Sequence, residues 1–163
     1  MISKKLETFL KKQKVAYKAI AHKTVFTAFD TAATLKAKLN EVGKTLVLKV
    51  EPAVLWGKKT SNYVLVLLPA NLRLDLQKLK KQLKVKKLEI VKEKAIQKAG
   101  KLKGGAIPPF ALFANIPTYI DKALLKTKSV IVNAGTHTDS LRLKAKDLIK
   151  SGGKALGSFG KRK

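Results

Sequence analysis

Two β-rich apolar runs that lie close together in the chain constrain its fold more than any other feature. Residues 44–50 form the first run, and residues 62–68 form the second, which is almost wholly apolar. Runs of Val and Leu that are bounded by turn residues predict β-strands. Pro52, Gly57 and a lysine pair lie between the runs, and Pro69 follows the second. Because proline and glycine interrupt strands, we predict an antiparallel hairpin with a long connecting loop.

Shorter patterns predict strands and helices along the rest of the chain. Thr27, with Asp30 in the capping-box position, is a predicted helix N-cap, and Asp75 is another. The other predicted strands are residues 15–20, 87–91, 117–121, 129–133 and 140–143, and the predicted helices are residues 3–14, 28–39, 76–83, 93–99, 122–126 and 145–150. Strands follow one another both directly and through helices, which favours an α+β fold with a mixed sheet over a doubly wound parallel fold.

Length and composition indicate one soluble domain. The chain has 163 residues, of which 45% are apolar, so it can build a core. We assign residues 1–150 to the domain and the Gly-rich, basic residues 151–163 to a disordered tail. The absence of cysteine excludes disulfides, thiolate zinc sites and Cys nucleophiles. No run is long and apolar enough to span a membrane and no secretory signal follows Met1, so we expect a cytoplasmic protein.

A net charge of +26 favours a polyanionic partner, and nucleic acid before an anionic membrane. Arginine occurs only at Arg73, Arg142 and Arg162, so almost all basic residues are lysines. Lysine acts as a mobile point charge, which suits sequence-independent attraction to a phosphate backbone. The lysines are spread over every segment, however, so the alternative is that they form solvated faces rather than a binding patch.

Two common site motifs do not fit the residues. Residues 43–45, Gly-Lys-Thr, resemble the end of a phosphate-binding loop, but Lys38 stands where that motif requires its first glycine, and a strand follows instead of a helix. The two histidines, His22 and His137, have no carboxylate at helical ligand spacing, which disfavours a metal site.

A catalytic triad is also disfavoured. Ser140, His137 and Asp139 are the residue types that such a triad needs, but they are nearly adjacent in one loop. Nothing in the sequence positions the three side chains relative to one another. We therefore favour a polar hairpin turn as their interpretation.

Three separated features together resemble one known family. They are residues 24–27, Thr-Val-Phe-Thr, which enter a helix, Lys44-Thr45 at the head of an apolar strand, and two glycine-containing loops at residues 104–110 and 133–135. In this order they resemble the YbaK/prolyl-tRNA synthetase editing-domain family. The resemblance extends from about residue 17 to about residue 149, nearly the whole chain.

The resemblance implies a fold and an activity. Members of the family are aminoacyl-tRNA deacylases, and their fold is a mixed, partly closed, barrel-like β-sheet flanked by helices. The chain has no room for synthetase catalytic domains, so it would be a free-standing, trans-editing enzyme without a cofactor. Its partners would be the aminoacylated 3′ end of tRNA and, as a second partner, prolyl-tRNA synthetase.

The resemblance also implies a catalytic set. The key lysine of the family falls on Lys44, where a fixed cation would hold the phosphates and terminal ribose of the substrate. Backbone amides around Gly105 and Gly135 would stabilise the oxyanion. The proton acceptor would be a water-linked His137 or the neighbouring ribose hydroxyl of the substrate. The alternatives are that Lys44 is one exposed lysine among many and that each glycine forms an ordinary turn.

A second set of residues would bind the substrate. His22 is interpreted as structural or as part of the pocket edge, and core packing is an equal alternative for Phe26 and Phe29. The predicted substrate-binding residues are Tyr17, Phe26, Thr27, Thr45, Gly104, Asn133, Asp139 and Ser140.

The second loop combines features of two family branches. Thr45 keeps the Lys-Thr pair of the YbaK-like branch, whereas the Ala-specific branch tends to have Lys-Asn. Ser140 occupies the position where the YbaK pattern has an acidic residue, and Asp139 comes just before it. His137 stands near the histidine of the Ala-specific branch. The amino acid that the pocket accepts is therefore left open.

We expect metal-free hydrolysis of a small mischarged aminoacyl ester, Ala, Ser or Cys, on proline tRNA. A pocket that accepts a small side chain discriminates by size, and hence sharply only against larger groups. The alternative is a non-catalytic tRNA- or RNA-binding module on the same fold. A membrane-surface binder ranks last, because no basic helix carries a wide aromatic apolar face.

Overall fold

The computed structural model describes residues 2–92 and 106–162. The predicted helix at residues 93–99 lies outside these ranges. The helices are α1 (Lys4–Lys12), α2 (Ala28–Leu35), α3 (Leu76–Leu83), α4 (Ala111–Ala114), α5 (Lys122–Leu125) and α6 (Lys146–Lys150), with a 3-10 turn at Leu39–Glu41. The strands are β1 (Tyr17–Ala21), β2 (Gly43–Trp56), β3 (Lys59–Pro69), β4 (Leu72–Leu74), β5 (Lys87–Val91), β6 (Thr118–Asp121), β7 (Ser129–Asn133), β8 (Asp139–Lys144), β9 (Lys154–Gly157) and β10 (Gly160–Arg162).

The largest sheet has five strands in the order β5-β2-β3-β6-β9. Strands β5, β2 and β3 are antiparallel neighbours, whereas β3, β6 and β9 run parallel. This confirms the predicted α+β fold with a mixed sheet. Among the described residues, β5 and β9 are the two edges of this sheet, so it is open rather than closed into a barrel.

The central hairpin was predicted with a long loop, and this is wrong. β2 continues to Trp56, which pairs with Lys59, so only a tight turn at Gly57 and its neighbour joins the strands. Gly57 has a φ of +59°, which a turn residue of this kind requires and glycine adopts without strain. Pro52, which has no N–H to donate, falls where the register between β2 and β3 shifts. β2 therefore continues past Pro52 with an irregularity in its pairing to β3, rather than ending at the proline.

A second sheet, of three strands, contributes buried residues to another cluster of the core. Its order is β1-β8-β7, with antiparallel pairing throughout. α1 packs on it through Leu6 and Leu10, which are fully buried. A single parallel bridge between Val42 and Ile131 joins the beginning of β2 to β7. This junction brings the head of β2 beside the end of β7.

Two predicted helix caps are confirmed. The Thr27 hydroxyl accepts the Asp30 N–H at 3.0 Å, and the Asp75 carboxylate accepts the Lys78 N–H at 3.1 Å. α2 ends at Leu35, four residues earlier than predicted, because Lys36 adopts a left-handed conformation that stops the helix. The cap at Thr27 fixes where the chain enters α2.

The tail was predicted to be disordered, and the structure corrects this. β9 lies parallel to β6, and β10 pairs with β4. Phe159 is fully buried between these strands, and its N–H donates to Asp121 Oδ2 at 2.8 Å. The Gly160 N–H donates to the same oxygen at 2.7 Å. A composition rich in glycine and lysine suggested disorder, but one aromatic anchor and one buried carboxylate hold the segment in place.

Across the described residues, no helix has the length and apolar character that crossing a membrane would require.

Candidate active site

A cavity of about 450 Å³ lies at the junction of the two sheets. The head of β2, the end of β7, the segment that enters α2 and the loop between β7 and β8 form its walls. Seven of the predicted site residues line it: Phe26, Thr27, Lys44, Thr45, Asn133, His137 and Ser140. Residues from three distant parts of the sequence, 26–27, 44–45 and 133–140, therefore meet in one place.

Lys44 is the second residue of β2 and reaches the cavity half-buried. Gly43 precedes it, and a Cβ there would approach Leu67 Cδ1 to 2.9 Å. A larger residue at position 43 would therefore force either the Leu67 side chain or the strand to shift. The glycine therefore allows close packing at the point that positions the lysine.

The described lining of the cavity carries basic side chains. Among the described residues, Lys44, His22 and His137 are the titratable groups that line it, and no Asp or Glu does. No group of three or more His, Asp or Glu side chains that could hold a metal ion occurs within the described ranges. A phosphate or a developing oxyanion is the kind of group that such a lining favours.

Two aromatic rings stand at the cavity with large exposed fractions. Phe26 is 75% exposed and Phe29 is 59% exposed, so the alternative of core packing is wrong for both. The Phe26 ring packs on the His137 ring with 4.9 Å between centroids and a tilt of 52°. The Phe26 and His137 rings together offer an aromatic face to the cavity.

Tyr17 is not in the cavity. It lies in β1 opposite Leu143 and packs against the core cluster that contains Leu6 and Leu10. Its predicted role in substrate binding is corrected: the strand register directs it to the core beneath α1.

Gly135 does not line the cavity, and its amide is engaged. The Gly135 N–H donates to Asn133 Oδ1 at 3.0 Å, and the residue has a φ of +91°. Asn133 Nδ2 donates to the Ile107 carbonyl at 2.9 Å. Asn133 thus ties its own loop to the segment at residue 107. In this arrangement the Gly135 amide stabilises a turn and is not directed at a substrate. The predicted Gly104 and Gly105 lie outside the described residues.

Asp139 is buried behind the cavity wall instead of lining it. Its Oδ2 accepts the Thr136 hydroxyl at 2.8 Å and the Thr138 hydroxyl at 3.1 Å. Burial alone would raise the pKa of Asp139, but hydrogen bonds to the charged form, among them those from the two threonines, hold that pKa below its ordinary value. The carboxylate organises the loop between β7 and β8, so its predicted role as a substrate ligand is corrected.

This pKa gives a prediction about acid stability. Because the carboxyl of Asp139 has a lower pKa in the folded than in the unfolded state, its stabilising effect is present above about pH 4 and is lost as the pH falls through the folded value. We expect Asp139→Asn to lower the urea midpoint at pH 7, and the difference from wild type to shrink below pH 4. Asp30→Asn, at an exposed position in α2, is the control and should show a much smaller difference. A difference for Asp139→Asn that stays constant down to pH 3 would contradict this account.

The sequence patterns missed a pair formed by His22 and Ser140. His22 Nε2 lies 2.8 Å from Ser140 Oγ, and His22 Nδ1 lies 2.8 Å from the Lys23 carbonyl. The His22 N–H donates to the Thr138 carbonyl at 2.9 Å, which holds this segment against the loop that precedes β8. The triad of Ser140, His137 and Asp139 does not form. The two residues of the pair are 118 positions apart, so no local spacing could have indicated it.

The fold and this cavity define a class of protein: a small α+β domain with a lysine-containing pocket at the junction of two sheets. The family model for the aminoacyl-tRNA editing domain matches residues 22–151. The chain belongs to this family, as the resemblance in its sequence predicted.

Solved structures agree on the fold. A hypothetical protein, APE2540, superposes with a TM-score of 0.80 at 21% identity, over 97% of this chain and 100% of its own. A protein described as a candidate trans-editing enzyme for prolyl tRNA synthetase gives a TM-score of 0.74 at 21% identity, over 100% of both chains. A scaffold used for epitope backbone grafting gives 0.73 at 22% identity, over 96% of this chain and 95% of its own. None of the curated proteins compared with the chain matches it.

Proposed function

We propose that this chain is an aminoacyl-tRNA deacylase that removes a small mischarged amino acid, Ala, Ser or Cys, from proline tRNA. The single observation that carries the proposal is the position of Lys44, which lies half-buried at the head of β2 in the cavity at the junction of the two sheets. Family membership supports editing as the activity, and the solved candidate trans-editing enzyme supports its assignment to the prolyl system.

The cavity suits the end of a charged tRNA in three respects. Lys44 places a positive charge where the terminal phosphate and ribose would enter. The exposed face of Phe26 offers a surface on which an unpaired base can stack, as aromatic side chains do in many RNA-binding sites. A volume of about 450 Å³ leaves room for an aminoacyl group at the end of a tRNA.

Chemistry in this cavity would depend on the side chains themselves. Lys44 would stabilise the negative charge that develops on the ester oxygen during attack by water. We propose that no metal takes part, since the titratable groups on the described lining are a lysine and two imidazoles. The remaining charge of the protein, +26 overall, would attract the tRNA body without reading its sequence. Prolyl-tRNA synthetase is the proposed second partner.

A panel of charged tRNAs tests the proposal. Proline tRNA carrying labelled Ala, Ser, Cys or Pro is incubated with the protein, and release of the amino acid is followed over time. We expect at least one of Ala, Ser and Cys to be released well above the buffer rate and Pro to be released no faster than in buffer. Alanine tRNA carrying Ala is the control for tRNA preference.

Release at the buffer rate for every substrate, together with intact salt-sensitive tRNA binding, would instead establish a non-catalytic RNA-binding module. The engaged amide of Gly135 is the observation that favours this second candidate, because it removes one predicted oxyanion donor.

A further inference from the structure

His22 and Ser140 form a polar pair that belongs to the cavity. Both residues line it, and the distance between His22 Nε2 and Ser140 Oγ is 2.8 Å. Ser140 itself is almost fully buried in β8, while His22 lies at the intermediate level of exposure. A buried hydroxyl in a fixed strand, bonded to an imidazole from another part of the chain, has a defined orientation toward the cavity.

The second hydrogen bond of His22 determines which nitrogen can accept a proton. A backbone carbonyl only accepts, so Nδ1, at 2.8 Å from the Lys23 carbonyl, must carry its hydrogen. In the neutral ring Nε2 is then unprotonated, and Ser140 must donate its hydroxyl hydrogen to it. The Ser140 oxygen keeps lone pairs that can accept a hydrogen bond from a molecule in the cavity. The arrangement is that of a hydroxyl, a base and a group that orients the base.

We propose that Ser140 and His22 form a proton relay that activates the attacking water, with Ser140 in contact with the water and His22 acting through it as the final acceptor. This proposal rests on the deacylase function proposed above. It replaces His137, which packs on Phe26, as the source of base catalysis. A histidine positioned by a carbonyl supplies the protein base that the sequence patterns did not reveal.

The proton transfers and bond changes of the relay balance over one turnover. The water oxygen bonds to the ester carbonyl carbon while its proton passes to Ser140 Oγ, and the Ser140 proton passes to His22 Nε2. When the bond between the carbonyl carbon and the ribose oxygen breaks, the proton returns through Ser140 to that ribose oxygen. The products are the free amino acid and the tRNA with a free terminal hydroxyl, and both side chains return to their starting state.

Kinetics of matched variants test the relay. His22→Gln keeps a hydrogen-bond acceptor near Nε2 but cannot take up a proton, and Ser140→Ala removes the hydroxyl. We expect each to lower kcat by about 100-fold with little change in KM, since general acid–base catalysis contributes on that order. Because the two residues act as one unit, the double variant should be no slower than either single variant. Ser140→Thr should retain most activity, and Ser129→Ala, at the far end of the same sheet, should be unchanged.

The pH profile separates a relay from a merely structural role. Histidine is the side chain that titrates in the range from pH 5 to 8. The charged or titratable groups around the pair are His137 and Lys44 in the cavity wall, Lys23 beside His22, and Asp139 beside Ser140. We expect the acidic limb of kcat to disappear in His22→Gln and to persist in His137→Gln. Losses that multiply in the double variant, or an acidic limb that survives in His22→Gln, would overturn the relay.

A measurement without substrate distinguishes failure of the relay from failure of the deacylase function. Long-range proton–nitrogen NMR of the wild-type protein at neutral pH should show His22 protonated at Nδ1 and not at Nε2. The opposite tautomer would overturn the relay whatever the activity. An acylated Ser140 recovered from quenched reactions would also overturn it, because the serine would then be a nucleophile. If every charged tRNA is stable, the proposed function fails and the relay fails with it.

Discussion

Replacing Lys44 with methionine is expected to lower kcat/KM for deacylation by about 10²–10³-fold, the loss that follows removal of one group stabilising developing charge in a closed site. Methionine keeps most of the length and the apolar stem of lysine but not its charge. The cavity is partly shielded from solvent, so the charge at Lys44 is less screened than a surface charge would be. The measurement is initial release of labelled amino acid from whichever charged tRNA the wild-type protein hydrolyses.

Lys49→Met is the matched control for this prediction. Lys49 lies on the same strand, β2, but is exposed and does not line the cavity. Its loss should weaken tRNA binding only slightly and reduce the salt dependence by about one charge. If both variants lose activity to the same extent, Lys44 is one cation among many and the proposed site is wrong.

Phe159→Ala is expected to destabilise the protein by about 3–5 kcal/mol, the usual cost of truncating a buried phenylalanine. Phe159 is fully buried in the cluster that contains Leu48, Val66 and Leu79. The change removes a packed ring and leaves a cavity between the large sheet and the tail. Urea unfolding should show a lower midpoint with an unchanged slope.

Phe29→Ala is the control for this substitution, because the same ring is removed at a position that is 59% exposed. Exposed substitutions of this kind usually change stability by less than about 0.5 kcal/mol. Equal losses in the two variants would contradict the anchoring of residues 154–162 to the core through Phe159. Deletion of those residues should unfold the protein, since β9 forms an edge of the large sheet and β10 pairs with β4.

Local signals predicted most of the helices and strands, but not β4, α4, β9 or β10. The apolar runs at residues 44–50 and 62–68 became the centre of the large sheet, and Thr27 and Asp75 cap their helices as expected. These features depend on propensity, side-chain period and short hydrogen bonds, which neighbouring residues determine. The predicted lysine at the head of β2 also reached the cavity, because its strand could be located from pattern alone.

The predictions from sequence were wrong where contacts between residues distant in the chain determine the structure. The tail is ordered because Asp121 accepts two of its amides and Phe159 finds a pocket in the core, and neither partner is near in sequence. Tyr17 and Asp139 were both assigned to substrate binding, but strand register places one against α1 and the other behind the loop. Successive side chains of a strand point to opposite faces of the sheet. The match of a residue to a family motif therefore does not establish which face its side chain occupies.

The sequence by itself determined the family, the order of most of the elements, the charge that favours a polyanion, and Lys44 as the leading site residue. Only the tertiary structure decided which residues surround that lysine. His22 comes from the chain after β1 and Ser140 from β8, and pairing of those two strands brings them within 2.8 Å. The physical reason is that helix caps and strand runs are stabilised locally, whereas a hydrogen bond across 118 residues exists only after the sheet has set its register.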